Sequence, residues 1–311
     1  MSASKTTTGR GRWRGAATVV LRAGDTTAAF VPDLGFAGVS LRRGRFEFVA
    51  TPGGPERLRA GHTLGLPLLA PWANRLAPGP DGYRVGRHAV SVPRRVPGGH
   101  RDDHGLLIHG LLVGRGSWRV VAERTTTTTT SVTAETELAA PVFPFPHRIA
   151  ITAALVEGAL TVTTTLTPTG RRAVPVAFGW HPYLRVPGTP RHRWILGLPA
   201  RDHLELDDRG LPTGVRRREA AEAEPIGRRT FDDLYAPIRS RILSLEGDHA
   251  ALALHGDRRY PYAQVWVPPG RAFAALEPMT APTNALATGN VPLVAPGESF
   301  SAAFTLRVDV A

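Results

Sequence analysis

The 311-residue chain contains no cysteine, and its only lysine is Lys5. The first absence removes disulfides, thiolate nucleophiles, zinc fingers and iron–sulfur clusters together, and it leaves the redox compartment open. The second removes two classes of enzyme. A Schiff-base enzyme needs a buried lysine and a Walker-type phosphate loop needs its own, so pyridoxal phosphate chemistry and P-loop nucleotide hydrolysis are excluded. No apolar run reaches the ~18 residues of a membrane span, and the N-terminus has no charged region followed by an apolar core. A cytoplasmic location without a membrane partner is therefore expected. There is no His-Glu-x-x-His motif, and His104 and His109 are five apart, off one helical face and on opposite faces of a strand. A metal would need ligands from distant segments; the expectation is no metal and no cofactor. No long segment carries a capped 3.6-residue period and no repeat of fixed length occurs, which argues against helical bundles, propellers and solenoids.

What the chain has in abundance is arginine, glycine and proline. Lys+Arg number 38 against 26 Asp+Glu, a formal charge of 38 − 26 = +12. The arginines are scattered in ones, twos and threes, as in Arg42/Arg43, Arg94/Arg95 and Arg216/Arg217/Arg218, with no binding module around them. They read as a solvated surface, and no nucleic-acid partner is expected. The 33 Gly and 28 Pro punctuate short runs rich in Val, Thr, Ala, Ile and Phe. Such runs occur at Ala17–Arg22, Thr26–Val31, Arg45–Ala50, Trp118–Glu123, Val174–Gly179, Ala250–Leu254, Ala263–Val267, Phe273–Leu276 and Phe300–Val308. The clearest hairpin runs from Arg148 to Thr167: Ile149, Ile151, Ala153 and Leu155 alternate with smaller or polar residues, Glu157-Gly158 turns, and Leu160, Val162, Thr164 and Leu166 alternate on the return. The threonine run Thr125–Thr130 reads as an exposed edge strand. Arg218 to Ala223 is helix-like but brief. Trp118, Trp194 and Trp266 lie in strand-like stretches and read as core or sheet surface. Met1 to Gly15 reads as a mobile polar tail. Residues 16–311 are expected to form a single all-β domain, a large antiparallel β-sandwich.

Asparagine occurs only at Asn74, Asn284 and Asn290, and glutamine only at Gln264. Four segments gather reactive residue types beside Gly or Pro at the ends of apolar stretches: Leu66 to Arg75, Ile108-His109-Gly110, Phe178 to Tyr183, and Leu276 to Asn284. Rigid strand ends hold side chains still while adjoining loops leave space for a ligand. A histidine and a carboxylate supply one acid and one base, enough to move protons on a polyhydroxylated substrate. Taken singly, each residue has an ordinary reading. Most of the 11 histidines are core or surface residues, Glu277 fits a turn set by Pro278, and Asn74 and Asn284 fit loops whose backbone groups they satisfy. His100 and His104 read as exposed loop residues.

Together and in order, these segments resemble the aldose 1-epimerase, or galactose mutarotase, family. The resemblance rests on Ala73-Asn74-Arg75, His109-Gly110, His181-Pro182-Tyr183 and Glu277-Pro278-Met279-Thr280-Ala281-Pro282-Thr283-Asn284. The chain departs from the family's pattern at Leu111, where a second glycine is common, and at Trp180, where an Asn commonly precedes the histidine. The resemblance implies a galactose mutarotase-like β-sandwich and an isomerase that interconverts the α and β anomers of a free hexose. It implies Glu277 as catalytic base and His181 as acid, with Arg75, Asn74, His109 and Asp232 binding the sugar. Asp232 is preferred to its neighbour Asp233. Trp72 or Trp180 would offer an apolar face to the sugar ring. The implied partner is a small-molecule sugar; the oligomeric state is unassigned. Two alternatives stand beside this reading: a hexose-6-phosphate 1-epimerase, for which the arginines would supply phosphate ligands, and a non-catalytic carbohydrate-binding protein of the same fold.

Overall fold

The longest hairpin shows how this sequence makes its sheets. Phe143–Val156 and Ala159–Pro168 pair antiparallel, with Ile149 opposite Leu166, Ala153 opposite Val162 and Leu155 opposite Leu160. Period-2 alternation turns these apolar residues to one face and buries them, while the residues between them are half-buried or exposed. Gly158, at φ 74°, supplies the left-handed turn residue. The computed structural model describes residues 6–237 and 240–311; Lys5 lies outside them.

The hairpin belongs to a nine-stranded sheet, whose order is 119–125, 130–140, 143–156, 159–168, 300–310, 250–256, 242–246, 195–198 and 222–225. An eight-stranded sheet carries, in order, Pro212–Glu219, Arg201–Leu206, Phe231–Pro237, Tyr262–Val267, Ala274–Met279, Gly179–Trp180 and Leu68–Leu69, with Tyr183–Leu184 also paired to Ala274–Met279. Both sheets are antiparallel throughout. A continuous apolar core joins them, drawing Val162, Leu254 and Phe304 from the first and Val265, Val267 and Leu276 from the second. Strand accounts for about 54% of the chain and helix for about 5%, an all-β antiparallel sandwich.

One side-chain bond ties the two sheets together beside the site. The buried Thr164 interrupts the apolar row of its strand because its Oγ1 accepts a hydrogen bond from Trp180 Nε1 at 3.0 Å. Trp180 is fully buried and packs edge-on against Phe304, centroids 5.6 Å apart. It is a core anchor, not a sugar platform, and Trp72, also buried, is equally unsuited to that role. The departure at Trp180 thus falls on the core side of the strand.

Several local expectations are corrected. Thr7–Trp13 is a strand paired with Ala16–Ala23, not a mobile tail, and it opens a five-stranded sheet. Thr125 to Thr130 is not one edge strand: Thr126 to Thr129 make the turn between two strands, with Thr126 N donating to Thr129 O at 2.8 Å and Thr129 N to Thr126 Oγ1 at 3.0 Å. Threonine hydroxyls close this turn by bonding the local backbone, a competition that strand propensity ignores. Of Arg45–Ala50 only Phe46–Glu47 forms a strand. The helix-like 218–223 stretch spans the end of one strand, Pro212–Glu219, and the start of another, Glu222–Pro225.

Trp180→Phe removes the hydrogen bond to Thr164 and leaves a void, so urea unfolding should report a loss of about 1–3 kcal/mol. An unchanged midpoint would contradict the anchoring role.

Candidate active site

The eight-stranded sheet turns alternate residues away from the core. Leu276 and Val265 enter the core, whereas Glu277 and Gln264, opposite one another in register, face the other side, as do Asp232 and Trp266, which form the next such pair. His181 follows Trp180 directly: Trp180 points into the core and His181 into the pocket. Gly179 permits this close packing, since a Cβ there would lie 2.9 Å from the Pro278 carbonyl oxygen.

Three loops complete the wall. Asn74, His109 and Asn284 all adopt positive φ, at 54°, 62° and 65°. His109 N donates to Asn74 O and Asn284 N to Arg75 O, both at 3.0 Å. Asn284 Oδ1 accepts from Ala77 N at 2.8 Å, so Asn284 braces the loop from outside the pocket. Gly110 must be glycine: its φ is 70°, and a Cβ would run into the Ala70 carbonyl oxygen. These contacts bring Asn74, Arg75, His109, His181, Asp232 and Glu277 around one pocket of about 200 Å3, with Thr63, Ile108, Tyr183 and Trp266 filling the gaps.

At the floor, His181 Nε2 lies 3.2 Å from Glu277 Oε1, with both side chains almost wholly buried. Glu277 Oε2, His181 Nδ1 and His109 Nδ1 are buried with no hydrogen-bond partner in the protein. The His109 ring stands edge-on to His181 at 5.3 Å, and Tyr183 stacks on the other side of His181 at 4.7 Å. Tyr183 is fixed by a 2.8 Å hydroxyl–hydroxyl hydrogen bond with Thr63.

Burial sets the electrostatics. It pushes the Glu277 carboxyl well above the usual carboxylate range, helped by the nearby Asp232 charge and opposed by Arg75. It pushes His181 below the usual imidazole range, and His109 likewise, the latter with additional repulsion from His181 and Arg75. In the closed floor, therefore, burial favours the neutral form of each group, a carboxylic acid against a neutral imidazole. Arg75 is the cation of the site. Its Nε donates to Asp102 Oδ2 at 2.7 Å, and one terminal nitrogen lies 4.0 Å from Asp232. Burial alone would raise Asp102, but Arg75 and the amides of Leu106 and His104 outweigh it and hold the carboxyl below its ordinary value. Asp232 sits at the half-open mouth, where its Oδ1 accepts from Gln264 Nε2 at 2.7 Å. Asp233 turns elsewhere, 3.3 Å from His203 Nε2.

A model of the aldose 1-epimerase family matches residues 19–307. The chain belongs to that family. Solved structures share its fold: a galactose mutarotase-like protein from Clostridium acetobutylicum (17% identity, 100% of each chain covered, TM-score 0.86) and the galactose 1-epimerase of Lactobacillus acidophilus NCFM (12% identity, 99% of each chain, TM-score 0.79). An aldose epimerase homologue from C. elegans is a third (15% identity, 99% of this chain and 100% of that one, TM-score 0.73). At these identities the likeness establishes the fold alone. No curated protein matches the sequence. Among the described residues no helix is long and apolar enough to cross a membrane.

Within this aldose 1-epimerase fold, three site features escape a reading of the sequence and a fourth leaves only a trace in it. Asp102 lies in a stretch of mixed charge, and nothing local marks it as the partner of Arg75. Trp266, read as core or sheet surface, instead walls the pocket at the position across from Asp232, whereas Trp118 and Trp194 are buried. Tyr183 belongs to the His-Pro-Tyr motif but carried no role. Gln264 did leave a signal, as the single glutamine of the chain in the middle of an apolar strand. His104 is exposed as expected, whereas His100 is half-buried, its ring 5.1 Å from that of His62.

The raised Glu277 has a stability consequence. A folded-state pKa above the unfolded one gives stability that is full below the unfolded pKa and lost as pH rises through the folded one. Glu277→Gln removes that loss. Its thermal midpoint should exceed the parent's by several degrees near pH 8, and the gap should shrink toward pH 5. A gap that stays constant or widens at low pH would contradict the buried, proton-holding carboxyl.

Proposed function

We propose that this family member is an aldose 1-epimerase that interconverts the α and β anomers of a free hexose by opening and reclosing the pyranose ring. The observation that carries the reading is the desolvated Glu277–His181 pair, whose remaining carboxylate oxygen is unpartnered inside the pocket. In the reactive form Glu277 is a carboxylate and His181 an imidazolium. Glu277 takes the proton of the anomeric hydroxyl while His181 gives one to the ring oxygen, and the bond from the ring oxygen to the anomeric carbon breaks. Rotation about the first carbon–carbon bond presents the other carbonyl face. On reclosure Glu277 returns its proton to the carbonyl oxygen and His181 takes one from the attacking hydroxyl.

The electrostatics favour this sequence. Burial penalises the charged pair, so the carboxylate is a stronger base and the imidazolium a stronger acid than in water. Ring opening neutralises both at once and leaves the pair in its resting form, which drives the two transfers together. Arg75, held by Asp102, and neutral His109 donate toward oxygens on which charge develops. Asp232 and Asn74 engage hydroxyls at the mouth. A protein that only bound sugar would gain nothing from a matched acid and base at the cost of two buried ionisable groups.

Polarimetry on fresh α-D-glucose and α-D-galactose tests the reading against spontaneous mutarotation. Wild type should accelerate exchange, and Glu277→Gln should lose about 10²–10⁴ of that acceleration. A variant as fast as wild type would overturn the assignment of the base, and tight binding without acceleration would favour the binding-protein reading. Because the reactive carboxylate–imidazolium form carries the same single proton as the resting pair, kcat/KM should fall as pH rises through the raised Glu277 pKa and the pair loses that proton, along a limb displaced above the ordinary carboxylate range. A limb centred near pH 4 would contradict it.

A further inference from the structure

The sugar pocket does not end at its own walls. Thr63, Tyr183 and Trp266 also border a second cleft of about 580 Å3, nearly three times the volume of the pocket itself. Its wall is an aromatic cluster: Phe273 lies 5.0 Å from Tyr183 and 5.7 Å from Trp266, and Tyr183 and Trp266 are 5.7 Å apart. Pro268 and Pro269 extend the apolar surface, and Arg57 and Arg271 stand at the rim. Both arginine side chains are without an ion-pair or hydrogen-bond partner among the described residues.

Such a surface matches one kind of ligand. Pyranose rings present apolar C–H faces that lie against aromatic side chains, with hydroxyls around the edge that planar guanidinium groups can bond. A bare phosphate would use the arginines but gain nothing from Phe273 and the prolines, and it would fill little of the space. Beyond Arg75 and Asp232 lies a polar cleft lined by Glu205, Asp207, Asp208 and Asp233, with His104 and His203 but no Phe, Tyr or Trp. Extension of the substrate therefore has one favourable direction.

We propose that the preferred substrate is a reducing oligosaccharide, whose terminal reducing residue occupies the Glu277–His181 pocket and whose neighbouring glycosyl residue lies on the Phe273–Trp266 wall. This rests on the epimerase reading and specifies its substrate class. Tyr183 links the two regions: it borders the cleft and stacks on His181, so a bound glycosyl residue stiffens the stack that holds the acid.

The test measures kcat/KM for anomer exchange with glucose, galactose, maltose, cellobiose, lactose, maltotriose and glucose 6-phosphate. Wild type is compared with Phe273→Ala and, on the exposed rim, Arg271→Ala. At least one disaccharide should exceed the monosaccharide of its reducing end by tenfold or more. That ratio should fall severalfold in Arg271→Ala and toward one in Phe273→Ala, with monosaccharide turnover within about twofold of wild type. Should Phe273→Ala fail to fold, Arg271→Ala alone decides. Disaccharides no better than monosaccharides, or a preference untouched by either substitution, would overturn the inference and leave the epimerase reading intact. A dominant preference for glucose 6-phosphate that Arg271→Ala removes would overturn it in favour of a phosphate occupant. Failure to accelerate any of the seven sugars would remove the epimerase reading and this inference together.

Discussion

The arrangement of this site depends on keeping a carboxyl and an imidazole out of water while they remain 3.2 Å apart. Each group alone would be costly to bury in its charged form, and together they escape that cost by sharing a proton as a neutral pair. The neutral pair is inert; the charged tautomer is a stronger base and a stronger acid than the same residues on a surface. In the proposed reaction this unfavourable solvation is relieved when a hydroxyl and a ring oxygen exchange protons with the pair.

Holding that pair requires rigidity from both sheets. Glu277 projects from a strand interior, where register fixes its direction. His181 is positioned from below by Trp180, whose Nε1 bonds Thr164 in the other sheet, and from the side by the stacked Tyr183. Arg75 opens the two-residue strand Arg75–Leu76, which pairs with Leu107–Ile108. This short platform is braced by Asp102 on the guanidinium and by Asn284 on the backbone, each contributing bonds at ordinary distances. At the mouth the exposed Asp232 is held by the buried Gln264.

Much of this was readable from residues. The hairpin around Glu157-Gly158 was legible because its apolar period is an unbroken two. The all-β class followed from short β-branched runs between Gly and Pro. Each of the four motifs contributes a pocket residue because it couples a reactive side chain to a backbone constraint visible in its composition, such as Gly110 beside His109 or Pro278 beside Glu277. What escaped was non-local or counter to propensity. Asp102 bonds Arg75 across 27 positions, a pairing no spacing rule reveals. Trp72, Trp180 and Trp266 exchanged expected roles because sequence does not say which face of a short strand meets the core. The N-terminal segment looked like a tail since it buries little; it is ordered by edge pairing with the strand that follows it.

The central claim is that the pair rests neutral, with its proton on Glu277. The most direct measurement is a 13C NMR titration of protein labelled at the glutamate side-chain carboxyl, with the Glu277 resonance assigned by its disappearance in Glu277→Gln. The account predicts that this carboxyl carries the protonated shift at pH values where the exposed glutamates are already ionised, and titrates well above them. A resonance that is ionised throughout and moves only near the ordinary carboxylate pKa would contradict it.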